Sequence, residues 1–259
     1  MTAANIPTIQ LPNGPMPLLG LGTWQSEGDD AERAVITALE LGYTHIDTAT
    51  GYGNQAQVGR ALAAVGIDRD SVFVTTKLPP DHAGRERQTL TESLAELGTD
   101  HLDLWLIHWP PNKQATPDTW REFIAARDEG RVRNIGVSNY SLDQIDELIA
   151  ATGEAPAVNQ IPWSPTDWDA DLVAGHADRG VAIEGYSPFK RTDMSAPVLA
   201  EIAETHGVSP QQVVLRWHLD HGIVVIPKSV HRERIESNLD VLGFQLSPEE
   251  LARIDALGK

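Results

Sequence analysis

No cysteine occurs anywhere in the chain. Disulfides, thiolate metal sites, a cysteine nucleophile and thiol redox chemistry are thereby excluded. Cations are scarce as well: 20 Lys and Arg stand against 37 Asp and Glu, a formal charge of −17. That balance disfavours a nucleic-acid partner or an anionic membrane surface, and an anionic ligand would need a local basic pocket. No uninterrupted apolar run approaches the roughly 18 residues of a membrane span. Met1 to Gln10 also lack the basic start and apolar core of a leader, so a cytoplasmic protein is expected. Low-complexity segments and linker-like breaks in composition are missing too.

What is present is a regular alternation. With 259 residues, 41% of them apolar, the chain can bury a large core, and an α/β barrel uses about 250 residues for one domain. Thr8 to Leu11 and Met16 to Leu18 read as two short strands around Asn13-Gly14, residues that tolerate the positive φ of a tight hairpin. Strand-like runs then alternate with amphipathic helical stretches. The strands are Leu18 to Thr23, Thr44 to Thr48, Val72 to Lys77, Leu102 to His108, Asn134 to Ser138, Ala157 to Gln160, Val181 to Tyr186 and Val224 to Pro227. Eight such β/α alternations predict an α/β fold, a (β/α)8 TIM barrel with an N-terminal β-hairpin cap, in a single domain over residues 1–259.

Four polar residues lie at or just past the downstream ends of these strands: Asp47, Tyr52, Lys77 and His108. In a parallel α/β fold those ends open onto one face, so the four are expected to share a site. A tyrosine, with an ordinary pKa near 10, donates a proton poorly unless a nearby cation favours its phenolate. Lys77 is placed to be that cation, Asp47 to hold the ammonium, and neutral His108 to orient a substrate oxygen by donating an N–H. The set suits a reaction in which negative charge develops on a carbonyl oxygen as hydride reaches its carbon, and the hydride must come from a reduced cofactor. Taken singly, each residue has a plainer reading: a strand-end turn former, a solvated lysine, a core histidine, a packed tyrosine. Four such coincidences on one face are the weaker account.

Gly51-Tyr52-Gly53-Asn54-Gln55-Ala56 satisfies Gly-x-Gly-x-x-Ala after a strand. A complete βα unit precedes it and no acid follows about 20 residues on, so its glycines are expected to shape the Tyr52 loop instead of binding a dinucleotide. His218 and His221 lack a convincing third ligand, and no metal site is expected.

Ordered matches along nearly the whole chain resemble an aldo-keto reductase, of the bacterial diketogluconate-reductase-like branch. They are Gly20-Leu21-Gly22-Thr23-Trp24, Asp47-Thr48-Ala49 with Tyr52-Gly53-Asn54, Lys77, His108-Trp109-Pro110, Ile135 to Asn139, Gln160, Gly185 to Pro188, and Ile226 to Ser229 with Arg234 and Asn238. The resemblance implies Tyr52 as general acid/base, Lys77 and Asp47 as its tuning pair, and His108 as the orienting donor. It implies NADPH (NADP+) as cofactor, held by Thr23, Trp24, Ser138, Asn139, Gln160, Tyr186, Ser187, Lys228, Ser229, Arg234 and Asn238. Within that set Ser138, Asn139 and Gln160 hold the carboxamide and Tyr186 stacks on the ring. Lys228 and Arg234 suit a 2′-phosphate, arginine in bidentate geometry. A small-molecule carbonyl would be the partner, lying against Trp24, Tyr52, His108 and Trp109, and a monomer is implied.

Two departures from the family pattern stand out. Ser237 replaces a usual glutamate at the adenine, and Phe189-Lys190-Arg191-Thr192 replaces a usual Leu-Gly opening. With a short connection after His108, an open site of broad specificity is expected. Two other readings remain at this level: a nicotinamide-binding sensor on the same fold, and a Schiff-base lyase using Lys77.

Overall fold

The computed structural model describes residues 4–258. Residues 1–3 of the segment expected to carry no leader, and residue 259 of the expected domain, lie outside the described residues.

A two-stranded antiparallel hairpin, β1 (Thr8–Leu11) and β2 (Gly14–Pro17), opens the chain. Leu11 pairs with Gly14, so the turn is made by Pro12-Asn13, one residue earlier than the Asn-Gly pattern suggested. Gly14 sits at φ 118°, a conformation that suits glycine, as the first residue of the returning strand.

Eight parallel strands then follow in sequential order in one sheet. They are β3 (Leu21–Gly22), β4 (His45–Asp47), β5 (Phe73–Leu78), β6 (Leu102–Ile107), β7 (Val132–Ser138), β8 (Val158–Pro162), β9 (Ala182–Tyr186) and β10 (Val224–Val225). Both β5 and β6 are buried along their whole length, as strands covered on two faces must be. Parallel bridges pair Leu19 with Val225 and Gly22 with Lys228, so the first and last strands lie side by side. Gly22 permits that approach, since a Cβ there would sit 2.8 Å from the Ile226 carbonyl oxygen.

Helices connect the strands: α1 (Gly28–Leu41), α2 (Gln55–Val65), α3 (Glu86–Leu97), α4 (Pro117–Asp128), α5 (Leu142–Thr152), α6 (Ala170–Ala177), α7 (Pro197–His206) and α8 (Pro210–Asp220). After β10 come α9 (Arg232–Leu239) and α10 (Pro248–Asp255). The apolar stripe of α4 seats Phe123 flat on Trp105 of β6, with ring centroids 3.7 Å apart. Ser141, Ser209 and Ser247 start α5, α8 and α10 with capping boxes that satisfy the first free amides. Because Ser141 caps α5, neither Ser138 nor Asn139 serves as its cap.

The helix α9 was not foreseen. Its Arg232-Glu233-Arg234-Ile235-Glu236-Ser237-Asn238-Leu239 carries few apolar positions, and only Ile235 and Asn238 are buried. No helix of the described residues is long and apolar enough to cross a membrane.

Candidate active site

Register carries the polar groups to one end of the sheet. Asp47 is the last residue of β4, Lys77 comes near the end of β5, and His108 follows β6 directly. Tyr52 ends a short 3-10 turn over Thr50–Tyr52, closed by Gly53 in the left-handed region at φ 67°. The Gly-x-Gly pattern therefore shapes the turn that presents Tyr52, as expected. Asn54 then locks that turn in place. Its Nδ2 donates to the carbonyls of Thr23 (2.8 Å) and Ser26 (3.0 Å), and its Oδ1 accepts from Thr48 Oγ1 at 2.7 Å. In the sequence Asn54 stands out only as part of a motif. Its three-way role needed the loop after β3 to be beside it.

Lys77 is fully buried, and its ammonium donates to Asp47 Oδ1 at 2.6 Å, to the Thr48 carbonyl at 2.8 Å and to the Tyr52 hydroxyl at 3.4 Å. Tyr52 and His108 meet edge to face with ring centroids 5.5 Å apart. The four expected residues thus form one cluster. Burial works against the Lys77 ammonium, yet the charge of Asp47, with Tyr52 and Glu184, outweighs it and leaves its pKa raised. Burial likewise raises the Asp47 carboxyl, opposed by Lys77 and by the Gln160 amide.

The phenol differs from expectation. Burial raises the Tyr52 pKa, and the pull of Lys77 does not reverse it because Asp47 and Glu184 push the other way. A cation already paired with a buried carboxylate offers little net field to a neighbour. Tyr52 is therefore a protonated phenol at neutral pH. The imidazole of His108 is pushed down to about 3 by burial and by the Lys77 charge, so it is neutral.

A cavity of about 410 Å3 opens over this cluster. Tyr52, His108, Trp24 and Trp109 line one part of it, and both indoles are strongly exposed at 46% and 49%. Ser138, Asn139, Gln160, Tyr186 and Ser187 line another, with Lys190 and Lys228 also in the wall. Hydrogen bonds chain the second group: Tyr186 donates to Asn139 Oδ1 (2.8 Å), Asn139 Nδ2 to Ser138 Oγ (2.9 Å), and Ser138 Oγ to the main-chain carbonyl of Gln160 (2.8 Å). Asn139 (φ 64°) and Ser187 (φ 57°) both occupy the left-handed region at strand ends. Such strained backbone concentrates at functional sites.

Four expected cofactor residues stand apart from the cavity wall. Thr23 is buried and donates its hydroxyl to the Asp47 carbonyl at 3.0 Å, joining β3 to β4. Ser229 is buried too, its Oγ accepting from the His231 amide at 3.1 Å before α9. Asn238 is buried on α9, while Arg234 is exposed on its first turn. Sequence order placed Arg234 after the last strand without showing that it falls on the exposed side of a helix. His218 Nδ1 donates to the Val214 carbonyl (2.7 Å) and His221 Nε2 to Asp255 Oδ1 (2.9 Å), so the two histidines face different partners.

The family model for the aldo/keto reductases matches residues 18–259. The chain belongs to the aldo/keto reductase family. Among its relatives, the methylglyoxal reductase of Yersinia pestis is 42% identical over 97% of this chain and 92% of its own length. An aldo/keto reductase structure from Brucella melitensis superposes with a TM-score of 0.93 at 42% identity, covering 98% of this chain and 100% of that one. The Bombyx mori aldo-keto reductase, solved with NADP, gives 0.91 at 36% identity over 99% and 94% of the two chains. This aldo/keto reductase also holds a group that sequence reasoning missed. Glu184, a lone acid in the apolar run of β9, lies fully buried beneath the cavity and accepts from Gln160. Its parity with Tyr186, two residues on, was the available signal, because alternate strand residues share a face.

Proposed function

We propose that this chain reduces an aldehyde or ketone to the corresponding alcohol with NADPH, on a closed (β/α)8 barrel formed as one domain. The observation that carries the reading is the fully buried Lys77–Asp47 pair, its ammonium 3.4 Å from the Tyr52 hydroxyl, beneath a cavity lined by Tyr52, Ser138, Asn139 and Gln160. The bridges between β3 and β10 support closure of the barrel.

The donor set fits a nicotinamide dinucleotide phosphate. In a chain of net −17, Lys190, Lys228 and Arg234 have no carboxylate partner among the described residues, while most arginines are paired. Cations left unpaired in an acidic protein make the local basic site that a phosphate requires. When bound, the cofactor supplies hydride to the carbonyl carbon.

Neutral His108 donates an N–H to the substrate oxygen and aims the carbonyl without adding a charge that would compete with Lys77. As charge grows on that oxygen, Tyr52 gives up its proton; an alkoxide is more basic than a phenolate, so the transfer runs downhill. The Lys77 ammonium stabilises the phenolate left behind, and Asp47 keeps that ammonium charged in a buried site. Trp24 and Trp109 flank the entrance and give an apolar rest for the remainder of the substrate.

The lyase reading fares poorly on geometry. A Schiff-base lysine must present a free amine, whereas Lys77 directs its N–H groups at Asp47, Thr48 and Tyr52 and its pKa is raised. To test the reductase reading, NADPH and NADH consumption is followed at 340 nm against aldehydes, ketones and keto-sugars. Turnover with NADPH that falls on the order of 10²-fold or more in Tyr52→Phe, with cofactor affinity kept, is the expected result. Tight NADPH binding without consumption would establish the sensor reading instead.

A further inference from the structure

Glu184 takes no part in the proton transfer just described, although its surroundings tie it to that cluster. It is paired in register with Gln160 across β8 and β9, and with Val224 of β10 on its other side. Its Oε2 accepts from Gln160 Nε2 at 2.9 Å, and the same nitrogen donates to Asp47 Oδ2 at 2.8 Å. Glu184 Oε1 has no hydrogen-bond partner among the described residues, with His45 Nε2 lying 3.6 Å away.

A primary amide has two N–H donors and one carbonyl acceptor. With both Gln160 donors engaged by carboxyl oxygens, the polar atom Gln160 has left for the cavity is its carbonyl oxygen. Reversing the amide would set that oxygen against two carboxyl groups. We infer that Glu184 is a positioning residue of this site: together with Asp47 it occupies both N–H groups of the Gln160 amide and so fixes the Gln160 carbonyl oxygen as an acceptor facing the cavity. The inference rests on the nicotinamide reading above, in which an amide N–H of the cofactor is the complementary donor.

Two carboxyl groups sharing one amide cannot both ionise cheaply, and they are not equivalent. Asp47 holds Lys77, whereas Glu184 has no cation at hydrogen-bond distance among the described residues. Facing Glu184 are His45 and Asp47 from β4, Lys77 from β5, Gln160 from β8 and Tyr52 above; β10 brings only the apolar Val224. His45 is pushed down to about 3 by burial and is neutral. Burial and the Asp47 charge push the Glu184 carboxyl up to about 8, against the pull of Gln160 and Lys77. Below that pH Glu184 is an acid whose Oε2 still accepts from Gln160. Above it, a second negative charge stands beside Asp47 and makes Tyr52 a weaker proton donor, so carbonyl reduction slows as pH rises.

Stability follows the same direction. A carboxyl raised in the fold above its ordinary 4.5 contributes fully below that value, and the contribution is lost as pH climbs toward 8. The deciding experiment measures kcat and NADPH affinity between about pH 6 and 9.5 for wild type, Glu184→Gln and Glu184→Met, with affinity read by quenching of tryptophan fluorescence. Wild type should lose about tenfold in kcat from pH 7 to 9. In Glu184→Gln that loss should shrink below about twofold while NADPH affinity is kept, because the new amide still accepts from Gln160. Glu184→Met, which leaves a Gln160 N–H unpaired, should bind NADPH about tenfold more weakly. If Glu184→Met does not fold, the pH limb of Glu184→Gln decides alone. A wild type that never consumes NADPH sinks the reductase reading and this inference with it. An active wild type whose limb survives in Glu184→Gln sinks only the inference.

Discussion

Two aspartates flank β5 and hold it at opposite ends, and they are held in different ways. Asp103, near the start of β6, accepts from the Val74 amide at 2.9 Å and pairs with Arg69 (2.8 Å) and Arg133 (2.9 Å). Both arginines keep contact with solvent, and Arg133 also reaches Asp70. Asp47, at the end of β4, pairs with a lysine that has no solvent at all and shares Gln160 with a second carboxyl group. At the first end the buried Asp103 carboxylate meets a backbone amide and two arginines that reach solvent. At the second, a compact ammonium, a phenol and two acids are crowded into one dry space, an arrangement costly to stability and useful for moving a proton. The same residue type thus ties arginines to the scaffold at one end of a strand and holds a buried ammonium beneath the cavity at the other.

Removing the lysine should break the comparison most severely. Lys77→Met leaves Asp47 buried without a counterion, and unfolding free energy should fall by about 3–5 kcal/mol, read by urea denaturation. NADPH turnover should drop on the order of 10²-fold or more as well. If turnover fell while stability held, the pair would be no structural element. Asp103→Ala should act on stability alone. Loss of the Val74 acceptor and of both arginine contacts should cost about 1–3 kcal/mol, with kcat within about twofold of wild type. An equal loss in kcat would show that the two ends of β5 are coupled.

The smallest effect is expected at the cavity mouth, where Lys190 Nζ lies 5.8 Å from the Trp24 ring centroid. The exposed cation–π contact contributes about 0.5–1 kcal/mol, so Lys190→Ala should barely move Tm. As an unpaired cation on the wall, Lys190 should matter more to NADPH. Its loss should raise the KM about threefold to tenfold at low salt and less at high salt. Arg191 offers the control. Its guanidinium is tied to Asp167 at 2.7 Å, so Arg191→Ala should leave the KM nearly unchanged.

The positions of Asp47, Lys77 and His108 were legible because strand ends are marked by apolar runs, and a parallel sheet converts equal placement into one face. Tyr52 was legible through its flanking glycines. Asn54 and Glu184 were not, since most of what they touch lies on loops and strands remote in sequence: Thr23 and Ser26 for one, Gln160 and neighbouring His45 for the other. The helix α9 escaped because most of its residues face solvent, so no apolar period announced it. The net shift of the phenol was hidden, because sequence shows a lysine available to pull it down, as Lys77 does, and conceals the burial that outweighs that pull.

The alternation of elements, the placement of Asp47, Tyr52, Lys77 and His108 at or just past strand ends, and the family can be read from the chain alone, because period, spacing and motif are its own properties. Tertiary structure alone decided how those residues are charged. Burial, the competition of two carboxyl groups for one amide and the distances between strands set protonation, and each depends on groups that only folding brings within a few ångströms.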